Sequence, residues 1–329
     1  VNLHDQEIAA LSARYARFAE TEARGRSPLY EEIARCVAGD REMLGFLLTL
    51  PEEKRQPNLL LAAVRRQCGT PAGFEHFRRA LFANRDAVRR VMLARSTQTN
   101  EPARCASLLP LLARLPQPLA LIEVGASAGL CLLPDRYGYD YGHGVVAPRS
   151  AVAGFPVFAC SINVATPAPT EMPDIVWRAG LDLNPLDVAD ETQTAWLETL
   201  VWPEQTQRLA NLRAAIRIAA AHKPRIVAGD LLGDDLAQLC GEAPKDATLV
   251  VFHTAVLAYV TDPAKRQAFA QRAMSLGPCW ISNEYPGVFP DIARRAGARG
   301  APGNFLLAMN GEPVAWSDPH GAALEWIAT

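Results

Sequence analysis

The stretch Leu119-Ala120-Leu121-Ile122-Glu123-Val124-Gly125-Ala126-Ser127-Ala128-Gly129 decides how this chain folds. An apolar run that ends in an acid and then meets two glycines four positions apart reads as a buried strand stopping at a tight turn. Glycine there lets the backbone take left-handed angles and lets a ligand approach closely. The turn is expected to open a helix over Ala128 to Pro134. Amides at a helix start favour a nearby carboxylate by about 0.3 to 1 kcal/mol.

Three known turns come close to this pattern. The dinucleotide fingerprint G-x-G-x-x-G fails because Ser127 stands at its second glycine, and a phosphate loop fails because no Gly-Lys-Ser/Thr follows. Gly125 to Gly129 does satisfy G-x-S-x-G, the nucleophile elbow of serine hydrolases. Ser127 would then attack, with His320 as base and Asp262 or Asp291 as the acid, in the chain order Ser, Asp, His. That fold needs an earlier strand to supply an oxyanion loop, and none is apparent upstream.

Upstream, Leu3 to about Leu115 is helical in pattern. Ile8, Leu11, Tyr15 and Phe18 share one helix face. Ser27 before Pro28 is a cap with a first-turn proline, and Asp40, Pro71 and Asp86 mark further helix starts. Pro116 to Pro118 is a boundary, so the chain divides into a helical region, 1–115, and a second domain, 116–329.

Downstream, short apolar runs alternate with helical stretches, as in a parallel sheet with crossover helices. Strands are expected at Leu119 to Val124, from Ile175 to Trp177 ending near Asp182, at Arg225 to Ala228, at Thr248 to His253 and at Cys279 to Asn283. Phe305 to Met309 and Pro313 to Trp316, joined by Asn310-Gly311, make a closing hairpin. Helices are expected from Thr192 to Ala221, Asp234 to Leu239 and Pro263 to Leu276. The fold class is therefore α/β, a Rossmann-like, mostly parallel sheet with a terminal antiparallel hairpin, preceded by an all-helical N-terminal region.

Composition narrows the function. The 329 residues are 49% hydrophobic and 21% charged, with a formal charge of -2, which can fill a core but gives no electrostatic pull toward nucleic acid or anionic membrane. A small-molecule substrate is the expected partner. Seven scattered cysteines without a C-x-x-C pair read as reduced thiols, and six histidines without tight ligand spacing predict no metal. No signal-like or membrane-spanning stretch is evident, so a cytoplasmic protein is expected.

A strand ending in an acid, then Gly-x-x-x-Gly, then further strands closing in a hairpin, resembles the class I S-adenosylmethionine-dependent methyltransferases. More narrowly, the chain resembles a bacterial family known only as domain of unknown function 2332. The blocks that carry this are Arg24 to Tyr30, Gln56-Pro57-Asn58, Gln98-Thr99-Asn100-Glu101, Glu123 to Leu130, Trp177 to Leu186, Val201-Trp202-Pro203, Phe252 to Tyr259 and Asp318-Pro319-His320-Gly321.

The resemblance implies S-adenosylmethionine as cofactor. Gly125, Ala126, Ser127 and Gly129 would line its methionine end, with Glu123 on its ammonium. An acid about 20 residues beyond the turn usually takes the ribose. Here Asp182 is the candidate although it lies 57 positions after Gly125, and Asp140 is the alternative. Asp230 would meet the adenine amino group or simply cap the next helix. His253, ending the fourth strand, is the candidate general base, against a buried histidine bonded to a backbone carbonyl.

Asn100, Tyr139, Tyr259 and Glu284 are the substrate-pocket candidates. Tyr137 to His143 is either a lid or the edge of a β-hairpin, and Gln98 to Glu101 either reaches the site or caps a helix. Asn283-Glu284-Tyr285, at the end of the fifth strand, is expected to face the crevice too, whereas Trp316 and His320, beside the closing hairpin, rank lower as core packing and turn chemistry. No Asp/Asn-Pro-Pro-Tyr follows the fourth strand, which disfavours methylation of nucleic-acid bases. The expected function is a methyltransferase acting on a small molecule whose identity is open. The alternatives are a serine hydrolase and a methyltransferase-like module that binds without turnover.

Overall fold

Side-chain caps turn the chain into its first helices. In a computed structural model, which describes residues 3–98, 100–149, 154–277, 279–297 and 300–327, Ser27 accepts from the Tyr30 amide ahead of Pro28, and Asp40 accepts from the amides of Glu42 and Met43. Each such cap is worth about 1 kcal/mol. The helices are α1 (Leu3–Phe18), α2 (Pro28–Gly39), α3 (Arg41–Leu48), α4 (Pro57–Cys68), α5 (Phe74–Ala83), α6 (Arg85–Ala94) and α7 (Cys105–Leu112). Pro71 does not begin α5. That helix starts at Phe74, whose amide is taken by the Glu32 carboxylate instead.

One long helix was expected from Thr192 to Ala221, but there are two, α8 (Glu191–Leu200) and α9 (Thr206–His222). Pro203 breaks them, since it has no amide to donate and disfavours a helical predecessor. In the break, Trp202 donates to Asn58 and meets Phe18 and Tyr30 edge-on.

Two compact units result. The first is Val1–Thr99 with Glu191–Ala210, and the second is Asn100–Asp190 with Asn211–Thr329. Asn100 to Leu115, expected among the helices, thus belongs with the sheet, and α8, expected with the sheet, belongs among the helices. The core of the first unit includes Tyr15, Ile33, Phe46, Leu60, Phe77, Met92 and Trp196.

The second unit is built on strands β1 (Leu119–Val124), β2 (Gly138–Asp140), β3 (Val145–Val146), β4 (Val157–Ala159), β5 (Ser161–Ile162), β6 (Ile175–Asp182), β7 (Arg225–Ala228), β8 (Thr248–Thr254), β9 (Cys279–Glu284), β10 (Phe305–Met309), β11 (Glu312–Ser317) and β12 (Ala323–Trp326). No strand precedes β1 among the described residues. Nine strands form one sheet in the order β5-β12-β11-β10-β9-β8-β1-β6-β7. β7, β6, β1, β8 and β9 run parallel, and β10, β11 and β12 alternate in direction. The hairpin turns at Asn310 (φ 50°) and Gly311 (φ 83°), two left-handed residues that match the twist of its strands. Helices α10 (Asp235–Glu242), α11 (Pro263–Leu276) and α12 (Pro290–Arg295) complete the unit. The strand order reverses between β1 and β8, and in open α/β sheets ligands bind at the carboxyl ends beside such a reversal.

The helix expected from Ala128 to Pro134 is absent. Short 3-10 turns occupy Leu130–Leu132 and Pro134–Arg136, and the chain then enters a second sheet, β3-β2-β4. Pro134 explains part of this, and the tyrosines that follow explain more. Tyr137 donates its phenol to the Leu130 carbonyl and Tyr139 to Pro134, so two carbonyls of this stretch are satisfied by side chains, while Tyr141 donates to Ala106 in α7. Burial pushes the phenols of Tyr137 and Tyr139 well above their ordinary range, which keeps them donors. Tyr137→Phe should therefore cost about 1 to 3 kcal/mol of unfolding free energy, the cost of a buried carbonyl left unpaired. Urea denaturation of the variant checks this; a change within error would mean the carbonyl finds another partner.

Candidate functional site

Period-two alternation and the strand register sort the expected residues onto two faces of the sheet. Glu123 stands opposite Phe252, Val124 opposite His253, and Thr254 opposite Asn283. Glu123, Thr254 and Asn283 therefore share one face, while His253, Ser282 and Glu284 share the other. The candidate base and the candidate ammonium-binding acid are separated by the sheet itself.

His253 is fully buried, stacked on Trp280 and edge-on to Phe269, with Nδ1 2.8 Å from Glu284 Oε1. The same carboxylate oxygen accepts the amides of Val256 (2.9 Å) and Leu257 (3.0 Å). Glu284, expected in the substrate pocket, is thus an anchor for the loop that leaves β8. A cavity of about 10 Å³ beside it, bordered by Ser282, Pro286, Phe289 and Leu306, has room for one water at most.

On the other face the glycine bend is closed upon itself. The amides of Gly125 and Ala126 donate to the Leu181 carbonyl, Ser127 to Asp182 Oδ2, Ala128 to Asn100 Oδ1 and Gly129 to the Ala126 carbonyl. The amides expected to face a ligand carboxylate are all taken by the protein. Gly125 (φ 76°) is glycine for a packing reason too, because a Cβ there would lie 2.4 Å from Val256 Cγ2.

Asp182 is consumed in the same bend, with its second oxygen accepting from Asn184. Asp230 accepts from the Leu232 amide and Asp140 from Gly142, so each caps a turn. Tyr139 is fully buried with its hydroxyl on the Pro134 carbonyl, and β2 with β3 is the hairpin edge that was the alternative to a lid. Tyr259 is 65% exposed in the turn after β8. Thr99 of the Gln98 to Glu101 block lies outside the described residues.

What remains open is polar and buried. Glu123 is 4% exposed, and its Oε2 has no hydrogen-bond partner among the described residues; neither do Asn100 Nδ2, Ser127 Oγ and Asn283 Nδ2. Groups of this kind are rare in native proteins and mark a missing water, ion or ligand. Desolvation drives the Glu123 carboxyl well above the usual carboxylate range, and the nearby Cys131 and Asp182 add to this while Arg104 opposes it.

Arg104 was not foreseen. Only 4% exposed, it donates Nε to the Pro319 carbonyl and Nη1 to the carbonyl and hydroxyl of Thr254. Beside it the turn Asp318 to Gly321 presses on the 3-10 turn Pro102–Arg104, and His320 Nδ1 lies 3.4 Å from Glu101 Oε2. Its signal in the sequence was a charge at the head of α7, the otherwise uncharged Cys105-Ala106-Ser107-Leu108-Leu109-Pro110-Leu111-Leu112. Through these contacts the blocks Asn100-Glu101, Glu123 to Leu130, Gly180 to Leu186, Phe252 to Tyr259 and Asp318 to Gly321 meet at one edge of the sheet.

Ser127 Oγ meets no base among the described residues, Asp262 caps α11, and Asp291 pairs with Arg294 at the surface. No helix among the described residues is long and apolar enough to cross a membrane.

A family model described as an uncharacterized protein conserved in bacteria, domain of unknown function 2332, matches residues 12–326. No curated protein matches the chain.

Proposed function

We propose, from the premise that this chain belongs to the bacterial family of domain of unknown function 2332, that it binds S-adenosylmethionine at the carboxyl edge of its sheet and methylates a small molecule. One observation carries the reading: a buried carboxyl oxygen with no hydrogen-bond partner among the described residues, Glu123 Oε2, lies near the end of β1, the middle of the five parallel strands, beside the strand-order reversal. An ammonium group is the partner such a carboxylate lacks, and the cofactor's amino-acid end has one.

The fit is uneven. Glu123 suits the ammonium, whereas the bend amides, all engaged within the protein, do not suit the carboxylate; that role falls to Asn100 Nδ2 and Ser127 Oγ. When bound, the cofactor supplies an electrophilic methyl group. The residues of this chain orient the amino-acid end and exclude water, and holding two reactants in line is worth roughly 7 to 11 kcal/mol even without a base. A second reading, a methyltransferase-like module that binds without turnover, is favoured by the enclosure of His253. Transfer of a labelled methyl group to any acceptor would reject it.

S-adenosylhomocysteine should stabilise the protein by about 2.7 kcal/mol at a hundredfold excess over its dissociation constant. A thermal or urea titration measures this. An unchanged transition at millimolar ligand would sink the proposal.

A further inference from the structure

We infer that the loop after β8, Ala255 to Leu257, is a gate that occupies the ligand's place on the glycine bend and is latched shut by Glu284. The inference rests on the ligand reading above.

Three observations meet here. The space beside Gly125 is filled by Val256, whose side chain stands where a Cβ on that glycine would lie and packs against the apolar cluster of Val124, Val251 and Trp280. Ala255 is held left-handed at φ 55°, a conformation that a residue with a Cβ avoids, so the loop is kept in place against its local preference. What keeps it there is the β9 edge. The Ala255 amide donates to the Asn283 carbonyl, and the amides of Val256 and Leu257 converge on Glu284 Oε1, whose third contact is His253 Nδ1. His253, wedged between Trp280 and Phe269, gives that carboxylate a rigid seat. The histidine expected to do chemistry therefore serves the latch.

Such a gate makes the wild-type protein compete with its own ligand. The apparent dissociation constant rises in inverse proportion to the open fraction. Truncating Val256 removes the competitor but leaves the backbone latch intact, because the Glu284 bonds go to amides.

Isothermal titration of wild type and Val256→Ala with S-adenosylhomocysteine tests this. The variant is expected to bind at least about fivefold more tightly. Equal or weaker binding by the variant overturns the gate and leaves the ligand assignment standing; no heat from either protein overturns that assignment and the gate with it. Amide hydrogen exchange supplies a second measurement. Val256 and Leu257 should exchange faster in Glu284→Gln than in wild type, and faster again when S-adenosylhomocysteine is bound to wild type. Unchanged protection in both cases overturns the latch.

Discussion

Glu123→Ala is expected to weaken S-adenosylhomocysteine binding roughly thirtyfold or more, because removing one member of a buried charge pair costs about 2 to 5 kcal/mol. Isothermal titration measures it, and a loss below about fivefold would take Glu123 out of the site. The ligand-free fold should respond in the opposite sense.

Burial raises the Glu123 carboxyl, so the folded state prefers it protonated. Below the ordinary glutamate range, about 4.3, both folded and unfolded chains hold the proton and folding suffers no penalty. As pH rises past that value the unfolded chain ionises while the folded one resists, and stability declines until the raised folded value is reached. Glu123→Gln removes this titration. Its stability relative to wild type should therefore grow from pH 4 toward pH 8, by about 1 to 3 kcal/mol if the buried group behaves like other unpaired polar groups. Urea midpoints across that range give the answer, and a flat difference would show that desolvation does not govern this carboxyl. A cationic ligand would reverse the preference, so binding at a pH where the free protein still holds that proton should release it, detectable as a dependence of the titration heat on the buffer.

Gly321→Ala should cost about 3 kcal/mol or more, among the larger effects of a single substitution. Gly321 has φ 78°, and a Cβ there would sit 2.0 Å from the Ala103 carbonyl oxygen, a backbone atom that cannot swing away. The turn has to lift, and lifting it withdraws the Pro319 carbonyl from Arg104. Gly142→Ala is the control: its φ is 87° with nothing within 4 Å, so only the backbone preference is charged, about 1 to 2 kcal/mol. Denaturation of the two variants side by side separates steric contact from torsional strain. Similar losses in both would show that the Gly321 turn yields without cost.

Much of the fold could be read from neighbours in sequence. The limits of β1, β7 and α11, the caps at Ser27 and Asp40, and the Asn310-Gly311 hairpin follow from hydrophobic period and turn chemistry acting over a few residues. The reading failed where distant groups outweighed local preference. Leu130 to Arg136 forms no α-helix, and two tyrosine hydroxyls from further along the chain satisfy its Leu130 and Pro134 carbonyls. The Thr192 to Ala221 pattern splits instead at Pro203, a local breaker that the helical period masked, and only the contact of Trp202 with Asn58 in that break is distant.

The site was legible in part. Glu123, Asn100, Ser127 and Asp182 do gather at the bend, but Arg104 and Val256 entered only with the fold, and His253 turned out to face away. Adjacent residues on one strand show their opposite faces in the sequence. Whether His253 shares a face with Glu123 depends on how β8 registers against β1.

By itself, then, the sequence determined a helical N-terminal region, a mostly parallel sheet opening at Leu119, and a bend at Gly125 with an acid before it. The tertiary structure alone decided that the bend's amides are taken, that Val256 lies over it, and that the polar groups still wanting a partner are side chains rather than backbone. The physical reason is range. Torsional preference and period are settled within a turn or two of chain, whereas the availability of a donor or a carboxylate depends on whatever residues far along the chain are packed against it.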